Sequence, residues 1–306
     1  LPWFLAEVYF YRRILAAVRY LTEGPWRGVD PFGPQKRAAL DEGLPEFGAF
    51  LASRLAANAD VAERVTLWLR RALWGNRADL SNVAVTARAY GATTRAGVIV
   101  DHTDAVWRLL AGGVRRVDLV ADNAGPELLN DLGLIALLLT EGLAEGAHLH
   151  LKAHPFFVSD ATVPDFETTL GALHGAPEAA PRRLGEALEQ LRGSGRLAAR
   201  THPFWTAPLH YTQLPDDLTA DLARSDLLIL KGDLNYRRLL EDRHWPPTTD
   251  LRAVTGYMPA PFVTLRTLKS EVIVGLPPGR AEALAQEDPE WRINGERGVI
   301  HLVRPL

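Results

Sequence analysis

From about residue 95 onward, short apolar runs alternate with stretches of helical periodicity, and this alternation limits the possible folds more than any other feature of the chain. It predicts an α/β fold with a largely parallel sheet and helices on both of its faces. The predicted strands are 98–100, 117–120, 148–151, 227–230, 262–265 and 272–274. The predicted helices are 103–111, 126–144, 165–175, 182–193 and 216–223. A hairpin is predicted over 292–303, with its turn at Asn294-Gly295.

The part of the chain before this alternation shows helical signals and few strand signals. Its first apolar residues recur at spacings of three and four, as one helix face requires: Phe4, Val8, Tyr11 and Leu15. Two further helical stretches cover 36–57 and 59–74. We therefore expect a helical subdomain over 1–94 and an α/β domain over 95–306.

Composition excludes several classes of site and partner. The chain has no cysteine, which rules out disulfides, thiolate metal sites and a cysteine nucleophile, and fits a cytoplasmic protein. A net charge of −3 gives no basic footprint for nucleic acid. No apolar run reaches the roughly 18 residues of a membrane span, so we expect no membrane partner. The first apolar stretch, interrupted by Glu7 and Arg12-Arg13, does not resemble a secretory signal, and a start at Leu1 leaves open whether a segment precedes it.

Polar side chains follow several predicted strands at the point where each strand ends. Asp122 and Asn123 come after the strand 117–120, and the other clusters lie within 152–160, 231–237 and 266–269. In an open α/β sheet the carboxyl ends of the strands meet at one edge, where ligands bind. We therefore expect these clusters to converge in one cleft.

The residue types in these clusters suit a phosphate held by a metal ion. Two carboxylates and an amide oxygen, from Asp122, Asp160 and Asn123, match Mg²⁺ or Mn²⁺ better than zinc. Lys269 and Arg266 add cations that can neutralise phosphate charge. Such a set would stabilise a transferring phosphoryl group and activate a water or a carboxylate for attack.

Each cluster also has a simpler interpretation. An Asp-Asn pair after a strand is commonly a helix cap, Asp160 could begin a turn, and Gly232-Asp233 is ordinary turn chemistry. Arg266 and Lys269 could be solvated charges. These alternatives stay open on local pattern alone, and the coincidence of several clusters at strand ends favours the functional interpretation.

Two other motifs do not fit the rest of the chain. The tetrapeptide 122–125 is similar to the N-N-A-G element of short-chain dehydrogenases, but the Tyr-x-x-x-Lys pair and the early glycine-rich turn are missing. His148 and His150 share one face of a predicted strand and His154 follows, which is suggestive of a metal cluster. Because no third ligand has matching spacing, we interpret them as surface or core histidines.

A longer series of motifs resembles the damage-control phosphatase family, formerly domain of unknown function 89, nearly end to end and in the family's order. The matching segments are 3–13, 73–81, 122–132, 159–160, 202–205, 231–237 and 266–269. The R-T-x-K element at 266–269 is similar to that of the third subfamily, which includes the acidic-residue-methyltransferase-like proteins. Pro126 stands where an aromatic residue is expected, a change that a first helical turn tolerates.

The resemblance implies a fold, a cofactor and a set of site residues. The fold would be a helical N-terminal region on a Rossmann-like three-layer α/β/α core with a mostly parallel sheet. The cofactor would be a divalent metal ion (Mn²⁺, Co²⁺, Ni²⁺ or Mg²⁺) bound by Asp122, Asn123 and Asp160. Asp122, Asp160 and Lys269 would be catalytic. The implied substrate-binding residues are Asn76, Asp79, Asp233, Asn235, Tyr236, Arg237, Arg266 and Lys269.

We therefore interpret the chain as a metal-dependent phosphomonoester hydrolase. The resemblance implies small sugar phosphates such as fructose 1-phosphate, or related phosphometabolites, as substrates in a metabolite damage-control role. One alternative is an S-adenosylmethionine-dependent protein carboxyl methyltransferase, which the missing glycine-rich turn disfavours. Another is a non-catalytic sugar-phosphate binder, which the retention of every acidic and basic cluster disfavours. The oligomeric state, the metal used in cells and the attacking group stay open.

Overall fold

The computed structural model describes residues 2–55, 59–75 and 97–304, and within them the chain forms one seven-stranded sheet and eleven α-helices. The strands are β1 (Val98–Asp101), β2 (Val114–Val120), β3 (Ala144–Leu151), β4 (Leu197–Thr201), β5 (Leu227–Lys231), β6 (Phe262–Thr267) and β7 (Gly298–Val303). The helices are α1 (Trp3–Ala17), α2 (Gly33–Leu55), α3 (Val61–Trp74), α4 (Thr103–Leu110), α5 (Pro126–Thr140), α6 (Val163–Gly175), α7 (Ala179–Gly193), α8 (Asp216–Leu222), α9 (Gly232–Leu239), α10 (Leu251–Val254) and α11 (Arg280–Glu287).

The sheet is mostly parallel, as predicted. Its strand order is β1-β7-β6-β5-β2-β3-β4, and all pairs from β6 to β4 are parallel, whereas β7 is antiparallel to β6 and parallel to β1. The chain moves outward through β2, β3 and β4 on one side and through β5 and β6 on the other. The strand order therefore reverses between β2 and β5, where Val120 lies opposite Leu230. Open α/β sheets bind ligands at the carboxyl ends of the strands beside such a reversal.

Helices cover both faces of the sheet, which confirms the three-layer architecture. Val117 and Leu119 of β2 face a core that α2 to α7 complete, and Val120 faces a second core that α8 to α11 complete. Successive residues of a strand point to opposite faces, so one apolar strand contributes to both cores. Burial on both faces explains why these strands read as nearly continuous apolar runs.

The N-terminal helices pack on the sheet domain. Helix α3 begins with a capping box, in which Asp60 Oδ1 accepts from the Glu63 amide at 2.8 Å and Glu63 Oε2 accepts from the Asp60 amide at 3.3 Å. Its Leu69 and Leu73 belong to the same core as α5 and the sheet. The predicted boundary at residue 94 lies outside the described residues, so the division into two domains stays a prediction. Within the described ranges, no helix is both long and apolar enough to cross a membrane.

Two predicted strand features at the end of the chain are wrong. The segment 272–274 is buried but irregular, and the Val274 amide donates to the Tyr236 hydroxyl at 3.2 Å instead of joining a ladder. The predicted hairpin over 292–303 does not form, because β7 pairs with β6 and β1. Asn294-Gly295 forms a bend after the turn 291–293, with Gly295 at a φ of 75°.

Helix α5 is shorter than predicted, and one strand was not predicted. Gly142, at a φ of 71°, follows the helix, and the Leu143 amide donates to the Leu138 carbonyl at 2.9 Å. This bond closes the last turn in the manner of a Schellman motif, so the chain is free to begin β3 at Ala144. Strand β4 has the sequence LAART, which lacks the β-branched apolar run that predicted the inner strands.

Candidate active site

Three of the predicted site residues meet just beyond the carboxyl end of β2. The chain continues past β2 and pairs with a segment that returns after β3. The Ala161 amide donates to the Asp122 carbonyl and the Ala124 amide donates to the Ser159 carbonyl, both at 2.8 Å. Asn123 and Asp160 form an antiparallel bridge between the two segments. These main-chain bonds bring Asp122, Asn123 and Asp160 together, although the paired residues Asn123 and Ser159 are 36 positions apart in the sequence.

The two carboxyl groups of this cluster are withdrawn from water. Asp122 is 5% exposed and Asp160 is 3% exposed. Burial, followed by repulsion from Glu127 and Asp160, raises the pKa of Asp122 well above its ordinary value. Burial also raises the pKa of Asp160, although Lys152 opposes the shift. Two buried carboxylates side by side are costly unless a cation balances them.

The side chain of Asn123 is held in one orientation. Its Nδ2 donates to Asp122 Oδ2 at 3.1 Å and to Glu127 Oε2 at 2.9 Å, whereas its Oδ1 accepts from the Ser159 hydroxyl at 2.6 Å. Helix α5 begins after Gly125, which makes no side-chain cap. The alternative that the Asp-Asn pair caps this helix is therefore wrong, and the pair belongs to the carboxylate cluster.

Two lysines that were given no role in the sequence analysis support Asp160. Lys152 lies directly after β3, and its Nζ donates to the Ala121 carbonyl at 2.9 Å and lies 3.1 Å from Asp160 Oδ2. Lys36 of α2 donates to the Asp160 carbonyl at 2.8 Å. The strand-end position of Lys152 was a usable signal, whereas Lys36 is 124 residues from its partner and has no local signal.

The ends of β5 and β6 complete this edge. Gly232, at a φ of 79°, packs directly against the Asp122 carboxyl group. Asp233 Oδ1 accepts from the Ser270 hydroxyl at 3.1 Å and lies 3.4 Å from the Lys269 amide. The charge of Lys269, after that of Lys152, opposes the rise in the pKa of Asp122, as expected for a cation close to this carboxyl.

Arg266 and Tyr236 lie beneath the loop that carries Lys269. The Arg266 side chain is fully buried, and its guanidinium donates to Asp233 Oδ1 at 2.7 Å and to the carbonyls of Ser270 and Val272. Its Cζ lies 4.2 Å from the centre of the Tyr236 ring. This environment differs from the solvated cation or direct phosphate contact considered for Arg266, and it favours a role in holding the loop.

Asn235 and Arg237 are also bound to protein groups. The Asn235 amide nitrogen donates to the Lys231 carbonyl at 2.8 Å, and its oxygen accepts from the Tyr211 hydroxyl at 3.1 Å. Arg237 pairs with Glu7 at 2.8 Å and with Asp242 at 2.7 Å. Of the predicted substrate-binding residues that the structure describes, Lys269 lies near the carboxylate cluster, and Asp233 directly follows Gly232, which packs against Asp122. Asn76 and Asp79 lie outside the described residues.

A second polar group is formed by residues of β2, β3 and α8. Among the described residues, Asp118, His148, His150 and Asp221 bring ligand atoms within 4.8 Å of one another, and this donor set fits a divalent metal. Asp118 Oδ1 lies 2.7 Å from His150 Nε2 and 3.4 Å from His148 Nδ1. Arg116 already donates to Asp118 Oδ2 at 2.6 Å and to Asp221 at 3.1 Å.

The second group corrects one interpretation made from the sequence. The third partner that the spacing of His148 and His150 lacks is Asp118, which lies on the adjacent strand opposite His148. His154 is not part of the group. Burial alone would raise the pKa of Asp118, but hydrogen bonds from His148, His150 and Arg116 outweigh it and hold this pKa well below the usual range. Asp118 therefore stays ionised with partners supplied by the protein itself.

The chain matches one family of known proteins along most of its length. The family model for the damage-control phosphatase ARMT1-like domain matches residues 1–284. The protein named damage-control phosphatase ARMT1 from Mus musculus is 33% identical over an alignment of 330 positions, which covers 100% of this chain and 75% of that protein. The Danio rerio protein of the same name is 34% identical, with coverages of 99% and 74%. The Homo sapiens protein is 31% identical, with coverages of 100% and 75%.

A solved structure shares the fold. The crystal structure of a DUF89 family protein from Pyrococcus horikoshii has a TM-score of 0.56 and 15% sequence identity, and the match covers 99% of this chain and 82% of that chain. At this identity the likeness concerns the fold alone, and it agrees with the three-layer architecture described above.

Proposed function

Since the chain belongs to the family of ARMT1-like damage-control phosphatases, we propose that it is a metal-dependent phosphatase of small sugar phosphates in the cytoplasm. The observation that carries the proposal is the buried pair of carboxyl groups, Asp122 and Asp160, at the point where the strand order reverses. We assign the metal ion to these two carboxylates and to the amide oxygen of Asn123. Fructose 1-phosphate is the representative substrate that the family resemblance suggests.

The donor set supports this assignment of the metal. Oxygen ligands from carboxylates and an amide suit Mg²⁺ and Mn²⁺. The raised pKa values of Asp122 and Asp160 reflect buried charge that a divalent cation would balance. The group around Asp118 has less need of a cation, because Arg116 already donates to two of its carboxylates.

Residues around the carboxylate pair have distinct roles in the proposed reaction. A divalent ion bound here supplies a Lewis acid for a phosphate oxygen. Lys269 is a positive charge near Asp122, so it can balance charge that moves to the phosphoryl oxygens. Asp233 Oδ1 accepts hydrogen bonds from Arg266, Lys269 and Ser270. We assign its second oxygen, Oδ2, to a sugar hydroxyl or to the attacking water.

The proposal is tested by phosphate release from a panel of phosphometabolites that includes fructose 1-phosphate. Each of Mn²⁺, Co²⁺, Ni²⁺ and Mg²⁺ is supplied separately. We expect metal-dependent release that EDTA abolishes and that Asp160→Ala abolishes, because the variant removes one of two carboxylate ligands. Asp104→Ala, an exposed aspartate at the start of α4, is the matched control and should retain activity.

Other outcomes would replace the proposal. Full activity in Asp160→Ala would contradict the metal assignment. Binding of sugar phosphates without turnover under every metal would favour a non-catalytic binder. Micromolar binding of S-adenosylmethionine in calorimetric titration, together with no phosphate release, would favour a methyltransferase.

A further inference from the structure

The amide of Asn123 can face only one way in this site. Both of its Nδ2 hydrogens point at carboxylate oxygens, one on Asp122 at 3.1 Å and one on Glu127 at 2.9 Å. A flipped amide would turn its oxygen toward those two carboxylates, which accept hydrogen bonds and cannot donate them when ionised. The amide oxygen is therefore directed to the opposite side, where the Ser159 hydroxyl donates to it.

Glu127 joins this amide to a buried lysine. It lies in the first turn of α5, is 1% exposed, and uses its two oxygens in different directions. Oε2 accepts from Asn123, and Oε1 accepts from Lys231 Nζ at 2.9 Å. A carboxylate held at both oxygens by hydrogen bonds has little freedom to rotate.

Lys231 holds the carboxylate of Glu127 in place. Its side chain is fully buried, and its Nζ contacts Glu127, Asp131 Oδ1 at 3.1 Å and the carbonyl of Ala72 at the end of α3. These partners come from α5 and α3, whereas Lys231 is the last residue of β5. The ammonium group of Lys231 therefore links β5 with α3 and α5 and holds the carboxylate of Glu127.

From this chain of contacts we propose that Glu127 is a positioning residue for the metal site, held in place by Lys231, and that it directs the Asn123 amide oxygen toward the metal ion. The inference rests on the proposed function for the identity of the metal ligands. Asn123 would bind the metal ion through one uncharged oxygen. The orientation of its amide therefore matters more than the orientation of a carboxylate, which has two equivalent oxygens. Outer partners of this kind typically change metal affinity by about 10–100-fold when they are removed.

The test compares Mn²⁺ binding by Glu127→Gln with that of the unaltered protein, using electron paramagnetic resonance of free Mn²⁺. A glutamine at this position has one donor and one acceptor end, so it can satisfy either Asn123 or Lys231 but not both. We expect the affinity to fall about 10–100-fold. The control is Glu141→Gln, which alters the glutamate that pairs with Arg64 at the other end of α5 and should leave the affinity unchanged.

A structural role for Glu127 predicts a different pattern. If Glu127 only stabilises the fold, Glu127→Gln lowers the melting temperature of the metal-free protein and leaves Mn²⁺ affinity as it was, and this result would overturn the proposal. If it positions Asn123, the visible absorption spectrum of the Co²⁺-saturated variant also differs from that of the unaltered protein. A loss of ligand geometry changes this spectrum, whereas a loss of stability does not.

The unaltered chain provides a second test that does not depend on whether the variant folds. In nuclear magnetic resonance spectra, the two side-chain amide protons of Asn123, assigned with Asn123→Asp, should exchange slowly with solvent, because carboxylates hold both. Rapid exchange, as for an exposed asparagine, would overturn the proposal. This measurement needs neither metal nor substrate, so its result does not depend on phosphatase activity. Absence of phosphatase activity would refute the proposed function, whereas rapid amide exchange would refute the positioning of Asn123.

Discussion

Gly232 packs so closely against Asp122 that no side chain fits between them. A Cβ built on Gly232 would lie 2.8 Å from Cβ of Asp122 and would collide with its carboxyl group. Gly232 also has a φ of 79°, a conformation that residues with a side chain rarely adopt. The glycine after β5 thus lets the amino end of α9 approach the end of β2 at the reversal of strand order.

Substitution of this glycine should therefore damage the site as well as the fold. We expect Gly232→Ala to lose stability and to bind Mn²⁺ at least about tenfold more weakly, since Asp122 must move. Gly279→Ala is the matched control, because Gly279 has a φ of 78° and open space around it. It should cost about 1 kcal/mol of unfolding free energy from backbone strain and leave Mn²⁺ binding unchanged. Equal effects of the two variants in urea unfolding and Mn²⁺ titration would contradict this account.

The inner strands were predictable because strands buried on both faces consist almost entirely of apolar residues. Residues such as Val117, Leu119 and Ile229 form apolar runs that a turn or an exposed strand does not show. The errors fall where tertiary contacts decide the outcome. The segment 272–274 is as apolar as a strand, yet it is held by side chains instead of a ladder: the Val274 amide donates to the Tyr236 hydroxyl, and Arg266 donates to the Val272 carbonyl. Strand β7 pairs with β6. A local turn signal does not indicate this pairing, because β6 is distant in the sequence.

The strand-end residues Asp122, Asp160 and Lys269 were accessible by the same reasoning, because parallel strands end at one edge. Local pattern does not indicate their supporting residues, but the lysine content of the chain does. The chain has 34 lysines and arginines, of which only four are lysines. All four lie in or beside the site. They are Lys36, Lys152, Lys231 and Lys269. A lysine is a compact charge with three donors, which suits a crowded set of carboxylates and carbonyls.

Single substitutions should distinguish the two candidate metal groups. We expect Asp122→Asn to abolish the metal-dependent phosphatase activity and to weaken Mn²⁺ binding strongly, because it removes the charge of a carboxylate to which we assign the metal. His150→Gln alters the group around Asp118 and should leave the stoichiometry and affinity of the Mn²⁺ that we assign to Asp122 unchanged. Its effect should appear in stability, since His150 is buried against Asp118 and Trp205. Metal titration and thermal unfolding of both variants test this, and loss of the catalytic ion in His150→Gln would place the metal at Asp118 instead.

Asp131 should make the stability of the metal-free protein depend on pH. Burial, with repulsion from Glu127 and against the attraction of Lys231, raises the pKa of Asp131 from 3.8 to about 8. The folded protein then keeps this proton up to about pH 8, whereas the unfolded chain releases it near pH 4. The contribution of Asp131 to stability is therefore fully present below the unfolded pKa and is lost as pH rises to about 8, by at most about 1.4 kcal/mol per pH unit.

The matching variant is Asp131→Asn, which is neutral at every pH and keeps an oxygen for Lys231. We expect its unfolding free energy to vary less between about pH 5 and about pH 8 than that of the unaltered protein, measured by urea unfolding without metal. Asp104→Asn, on the exposed side of α4, should retain the slope of the unaltered protein. An unchanged slope in Asp131→Asn would show that Asp131 is ionised in the folded protein at neutral pH.

Lys269 should affect catalysis and metal binding in opposite directions. Its charge stabilises the ionised form of Asp122, so it lies close enough to repel a cation bound by that carboxylate. If its role is to balance charge on the phosphoryl group, Lys269→Gln should lower kcat by about 100-fold, as removal of one preorganised donor typically does. The same variant should bind Mn²⁺ as tightly as the unaltered protein or more tightly.

Lys269→Arg keeps the charge with a different shape and should retain part of the activity. Arg252→Gln removes an exposed cation of α10 and serves as the control. Steady-state kinetics with Mn²⁺ titration separates these effects, and weaker Mn²⁺ binding in Lys269→Gln would show that Lys269 supports the metal ligands instead of the phosphate.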